Sequence, residues 1–115
     1  MLAEYYLYPP PGGLPDYHKA FSLLHKGARL NDTDSFYMLG VCYWVGLGVE
    51  PDAIEAYRWF DFAQRSATDE LHKIALRAFL KIREYLSPAQ VQTARQREVA
   101  WTVTHAPRIR KVFLQ

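Results

Sequence analysis

Four histidines, one cysteine and a few closely spaced carboxylates are the residues of this 115-residue chain that could carry catalytic or metal chemistry. Their spacing argues against it. His18, His25, His72 and His105 are scattered, without an HExxH or comparable arrangement, whereas a zinc site needs three or four ligands converging on one point. His18 and His25 stand seven residues apart, on one face of a helix, but no third ligand accompanies them. Cys42 lies between Val41 and Tyr43 and reads as a small buried apolar residue, because a reactive thiolate needs cationic surroundings. The Gly46, Leu47, Gly48 loop lacks the lysine and the preceding strand of a phosphate cradle. Asp32 and Asp34 read as helix caps. The chain is therefore expected to be no enzyme and to hold no metal or cofactor.

The chemistry that remains is recognition. Tyr37, Val41 and Trp44 recur at helical spacing, with Phe36 and Met38 at the edges of the stripe. Tyr and Trp are common interface anchors, so this stripe is the preferred partner-binding surface. Its alternative role is packing against neighbouring hairpins or against Tyr5, Tyr6 and Tyr8. Lys73, Arg77 and Lys81 form a second candidate surface, spaced four apart with no acid between them. Like charges at that spacing destabilise a helix mildly, and an acidic protein surface would relieve them. Nucleic acid is disfavoured, since no base-stacking aromatics or reading motif stand among these charges.

The charge is divided along the chain. The formal net charge of +2 is the sum of −5 over residues 1–70 and +7 over residues 71–115. Such asymmetry suits an acidic partner or head-to-tail association into a homodimer, while the plainer reading is two solvated faces. Half the residues are apolar, which argues against disorder. No run approaches the roughly 18 uncharged apolar residues of a membrane span. Glu4 and Pro9–Pro11 interrupt the opening before a secretory h-region develops. A single cysteine agrees with a reducing compartment, and a cytoplasmic protein is expected.

The elements that must position these residues are helices. Shifting the chain by 36 residues brings Asp16 onto Asp52, Ala20 onto Ala56, Phe21 onto Tyr57, Leu23 onto Trp59, Leu24 onto Phe60 and Gly27 onto Ala63. Residue size is preserved as well as spacing, the mark of an internal repeat. Periodicity and caps predict helices over 16–30, 34–45, 52–65, 71–86 and 88–103, preceded by a truncated one over about residues 2–8. Asp52 with Glu55 suggests one capping box, and Ser87, Pro88 and Gln90 read as N-cap, first helical residue and N3 of another. Gly46 and Gly48 end the helix of the aromatic stripe. Gly40 and Ala56 mark the expected crossing of two antiparallel helices, flanked by Leu39, Tyr43 and Trp59. The tail 107–115 alternates enough to form a strand or an ordered arm, or stays disordered.

The segment LGVCYWVGLGVEPDAIEAYRWFDFA, with Leu39, Gly40, Tyr43, Gly46, Gly48, Val49, Asp52, Ala56, Trp59 and Ala63 at fixed spacing, resembles a unit of the Sel-one-like repeat family, relatives of tetratricopeptide repeats. LSPAQVQTARQ is similar to the capping helices that finish such arrays. The resemblance implies an all-α fold, a short α-solenoid of stacked antiparallel helical hairpins with about five helices and a C-terminal capping pair. It divides the chain into a truncated first repeat (1–32), a complete repeat (33–67), capping helices (68–103) and a tail (104–115). The implied function is an adaptor or scaffold that binds a partner protein on its concave helical face. The alternative is an inhibitor or immunity-type protein that neutralises a partner enzyme. Ser35, Gln64 and Ala67 depart from the family pattern, and so short an array is at the lower limit of what stacking stabilises.

Overall fold

In the computed structural model, which describes residues 2–105 and the side chains of 3 and 6–98, six α-helices follow one another: α1 (Leu2–Leu7), α2 (Tyr17–Arg29), α3 (Thr33–Val45), α4 (Ala53–Ser66), α5 (Asp69–Arg83) and α6 (Pro88–His105). Among the described residues there is no strand, and the helices form a solenoid of antiparallel hairpins. The proposed strand or arm over 107–115 lies outside the described residues.

Local chemistry sets most of the boundaries. Asp16 caps α2, its Oδ1 accepting from the Lys19 amide at 3.0 Å. That helix closes in a Schellman turn around Asn31 at φ 63°, with the Asn31 amide donating to the Ala28 carbonyl and the Asp32 amide to that of Gly27. Gly46, at φ 90°, ends α3, and its amide and that of Leu47 both donate to the Cys42 carbonyl. The Ser87–Gln90 box forms in full: the Ser87 amide donates to Gln90 Oε1 at 2.8 Å and the Gln90 amide to Ser87 Oγ at 3.2 Å.

Two of the expected caps differ from the reading above. Asp52 accepts from the Ile54 and Glu55 amides, but its own amide donates to the Tyr43 carbonyl, and the Glu55 carboxylate turns away to Arg58 Nε at 2.6 Å. Arg58 is buried and needs a counter-charge more than Asp52 needs a second cap. Asp32 precedes α3 without capping it through its side chain. Its Oδ2 accepts from the Ser35 hydroxyl at 2.6 Å, which satisfies a buried serine.

Two apolar clusters meet along α3 and α4. In the first, Trp59 stacks on Phe36 and lies against Phe62, with Ala20 and Leu24 of α2 closing it. The second joins Ala56, Tyr57 and Phe60 of α4 to Phe79 and Ile82 of α5 and Ala94 of α6. Phe36 is thus wholly core and no edge of the surface stripe. The helix crossing also differs in detail, because Gly40 faces the Phe60 ring and not Ala56. A β-carbon built at Gly40 would stand 2.6 Å from Phe60 Cδ1.

Gly40→Ala therefore tests packing against propensity. Helix propensity alone would favour alanine by about 1 kcal/mol. The buried Phe60 ring reverses the sign, so Gly40→Ala lowers the urea midpoint and Gly40→Leu lowers it further, with a loss of unfolding free energy of about 3 kcal/mol. Adding Phe60→Leu to Gly40→Ala restores part of the loss if the ring is the obstacle.

Candidate protein-interaction surface

α3 and α5 flank the Phe60 ring of α4, and a groove of about 220 Å³ runs between them. Tyr37, Val41 and Trp44 line one wall, Ala78, Lys81 and Ile82 the other, and Phe60 the space between. Tyr37 packs on Phe60 with ring centroids 5.5 Å apart. At one end Trp44, 43% exposed, meets Tyr85, 64% exposed, at 5.7 Å. The stripe therefore has both roles foreseen for it: Tyr37 and Val41 are half-buried against the next hairpin, while Trp44 stays open. Of the N-terminal tyrosines, Tyr6 packs against the first cluster with Lys19 over its ring, Tyr8 is exposed, and the side chain of Tyr5 lies outside the described residues.

The basic series on α5 splits. Lys81 is part of the groove wall; Arg77 is exposed one turn earlier; Lys73 is exposed and pairs with Glu70 at 3.1 Å. A pair so open to solvent contributes little and exchanges readily. Phe60, Ala78, Ile82 and Tyr85 complete the groove but were not singled out from sequence. Ala78 and Ile82 belong to the apolar stripe that also supplies core, and nothing in their spacing separates groove from interior.

Cys42, His25 and His72 have structural employment. Cys42 is buried, and burial pushes its thiol up to about 11, far from a nucleophilic thiolate. His25 sits edge-on to Trp59 and to Phe21. The His72 Nδ1–H donates to the Gln64 carbonyl at 2.7 Å, tying α5 to the end of α4. His18 is exposed, and the side chain of His105 is outside the described residues. Among the described residues no three His, Cys, Asp or Glu side chains gather around a point, and no helix is long and apolar enough to cross a membrane.

A charged interior joins α4 to α6. Asp61 is buried and accepts from Gln64 Nε2 at 2.8 Å and Arg65 Nε at 3.1 Å. Glu98, 4% exposed, is pushed up to about 9, first by burial, then by the charge of Asp61 and the hydrogen bond its carboxyl donates to that carboxylate; Arg65 and Arg58 act the other way. Arg97 reaches Asp52 at 3.5 Å and Glu55 at 3.9 Å. Tyr57 is held above the ordinary phenol range by burial and the charge of Asp61, with Glu98 adding to the rise and Arg95 and Arg83 opposing it.

The profile of the Sel1 repeat matches residues 1–32 and 35–63, more than half of the chain. The protein belongs to the Sel1-repeat family. No curated protein sequence matches it. A solved structure similar to it is c5321, described as a protective antigen present in uropathogenic Escherichia coli strains displaying an SLR fold, with a TM-score of 0.80 and 24% identity. The match covers 98% of this chain and 23% of that one, so the chain spans about a quarter of the length of its neighbour. Sel1 repeats are generally protein-interaction modules, which makes an exposed groove between successive hairpins the relevant feature of this Sel1-repeat protein.

The Glu98–Asp61 pair gives stability a definite pH dependence. A carboxyl raised in the folded state lends stability that is complete below the ordinary carboxyl range and is lost as pH rises through about 9. Glu98→Gln keeps the donor without the charge. Its unfolding free energy should match the parent near pH 4 and exceed it increasingly up to pH 9, by up to about 1.4 kcal/mol per pH unit, with the thermal midpoint rising alongside. Parallel curves would show that Glu98 does not titrate against Asp61.

Proposed function

We propose that this protein is a non-enzymatic scaffold or adaptor that holds a segment of a partner protein in the α3–α5 groove. The observation that carries the reading is an apolar groove, based on Phe60 and ending in the exposed Trp44–Tyr85 pair, on a chain built of interaction-type repeats. A volume of about 220 Å³ suits one or two partner side chains and leaves no enclosed chamber for a small substrate. The partner is acidic at the point of contact. Lys81 borders the groove, Arg77 continues the cationic edge, and no acidic side chain lines it among the described residues. Complementary charge would set orientation and association rate, while aromatic burial would supply affinity.

Affinity capture from native lysate with quantitative mass spectrometry tests this. Trp44→Ala should deplete the recovered partners about tenfold or more, as loss of an interface anchor does. The double reversal Arg77→Glu, Lys81→Glu should deplete those with acidic surfaces. Leu80→Ala changes an exposed apolar residue of α5 that does not line the groove and should leave recovery intact. A partner set unchanged by the groove variants would show that binding occurs elsewhere.

A further inference from the structure

α5 and α6 both pack on α4, and a second cleft of about 400 Å³ lies between the end of α5 and the first turns of α6. Arg83 and Leu86 line it from one side, Pro88, Val91, Gln92 and Arg95 from the other. Neither arginine forms an ion pair among the described residues, and no carboxylate lines the cleft. The arginines packed on α4 differ: Arg58 has Glu55, Arg65 has Asp61, and Arg97 has Asp52 and Glu55, while Arg77 of α5 is also without an ion pair among the described residues but lies outside the cleft. Arg83 follows Ile82 by about 100° around α5, so this cleft is separate from the groove that Ile82 lines.

We infer that this cleft binds a phosphate monoester, with the Arg83 and Arg95 guanidiniums donating to its oxygens. Two exposed cations lining one concavity repel each other, Leu86 and Val91 beside them are half-buried, and no anion of the protein offsets the pair. Both lie near enough to one side chain, the Tyr57 phenol, to act on it electrostatically from different helices. The acidic groups that act on the same phenol, Asp61 and Glu98, are buried and engaged with each other and with Arg65, and the exposed Glu84 next to Arg83 does not line the cleft. A phosphate monoester carries about −1.5 to −2 charges at neutral pH, matching two guanidiniums where one carboxylate would leave half the charge uncompensated. Planar guanidinium forks also fit tetrahedral oxyanions in a way that ammonium groups do not. Gln92 adds a neutral donor on the same wall.

The test is titration of the ¹⁵N-labelled protein with inorganic phosphate, glycerol 3-phosphate and a phosphoserine heptapeptide, with acetate at equal ionic strength as control. Saturable shifts of the Arg83 and Arg95 side-chain resonances with a phosphate probe, and none with acetate, are expected. Tighter binding of the peptide would assign the phosphate to a modified partner, and tighter binding of glycerol 3-phosphate to a metabolite. Arg83→Gln and Arg95→Gln should each weaken binding about tenfold, while Lys81→Gln, which removes a cation outside the cleft, should leave it unchanged. Shifts equal with acetate, affinity unaltered in both arginine variants, or an equal loss in Lys81→Gln would each overturn the assignment. Failure of the groove to bind a partner would leave these titrations unaffected, so the two readings fail separately.

Discussion

The absence of a side chain at Gly40 is the constraint on which the rest of the structure depends. It lets the Phe60 ring lie directly on the backbone of α3. Phe60 belongs to the second apolar cluster, with Tyr57, Phe79 and Ile82, while its neighbours on α3, Leu39 and Cys42, belong to the first. One close approach therefore joins two cores. It also fixes the spacing of α3 and α5, because both pack on the same ring, and so decides how wide the groove between them can be. Any side chain at position 40 would move Phe60 and change core and groove together.

α4 meets its neighbours through two kinds of interface. Toward α3 and α5 it presents aromatic and aliphatic surface, which is tolerant of small shifts and gains free energy from burial alone. Toward α6 it presents Asp61, Arg65, Arg58 and Glu55, answered by Glu98 and Arg97. Polar contacts of this kind hold only when geometry and protonation are right, which makes the docking of α6 selective in register but sensitive to conditions. Ala94 of α6 is buried in the second apolar cluster and adds a small apolar contact beside these polar ones.

How far this was readable from sequence depends on whether the determining contact is local. The repeat spacing, the glycine-terminated α3, the Asp16 cap and the Ser87–Gln90 box each rest on residues within a turn of one another, and all are present as read. α3 was harder, being apolar almost all round: without a polar face, nothing local distinguishes Phe36, which is core, from Tyr37 and Trp44, which line the groove. The Asp52–Glu55 pair satisfied a local pattern, yet Glu55 serves Arg58 and Arg97, a demand set by burial and by a helix about forty residues away. The Asp61–Glu98 pair and the Arg83–Arg95 cleft have no local signature at all. Each is made by helices that meet only after the hairpins stack.

The loop Gly46–Gly48 carries a further consequence. Gly48, at φ 75°, presses on the carbonyl of Tyr17, the first residue of α2, and no β-carbon would fit there. The loop of one repeat is thus sealed by the opening turn of the helix before it. Repeats coupled in this way do not melt independently. Losing α2 would expose the loop after α3, loosen the Tyr43 carbonyl that receives the Asp52 amide, and release the start of α4. The array then behaves as a one-dimensional chain of linked switches, in which damage at the N-terminal end travels inward and the short solenoid unzips as a unit.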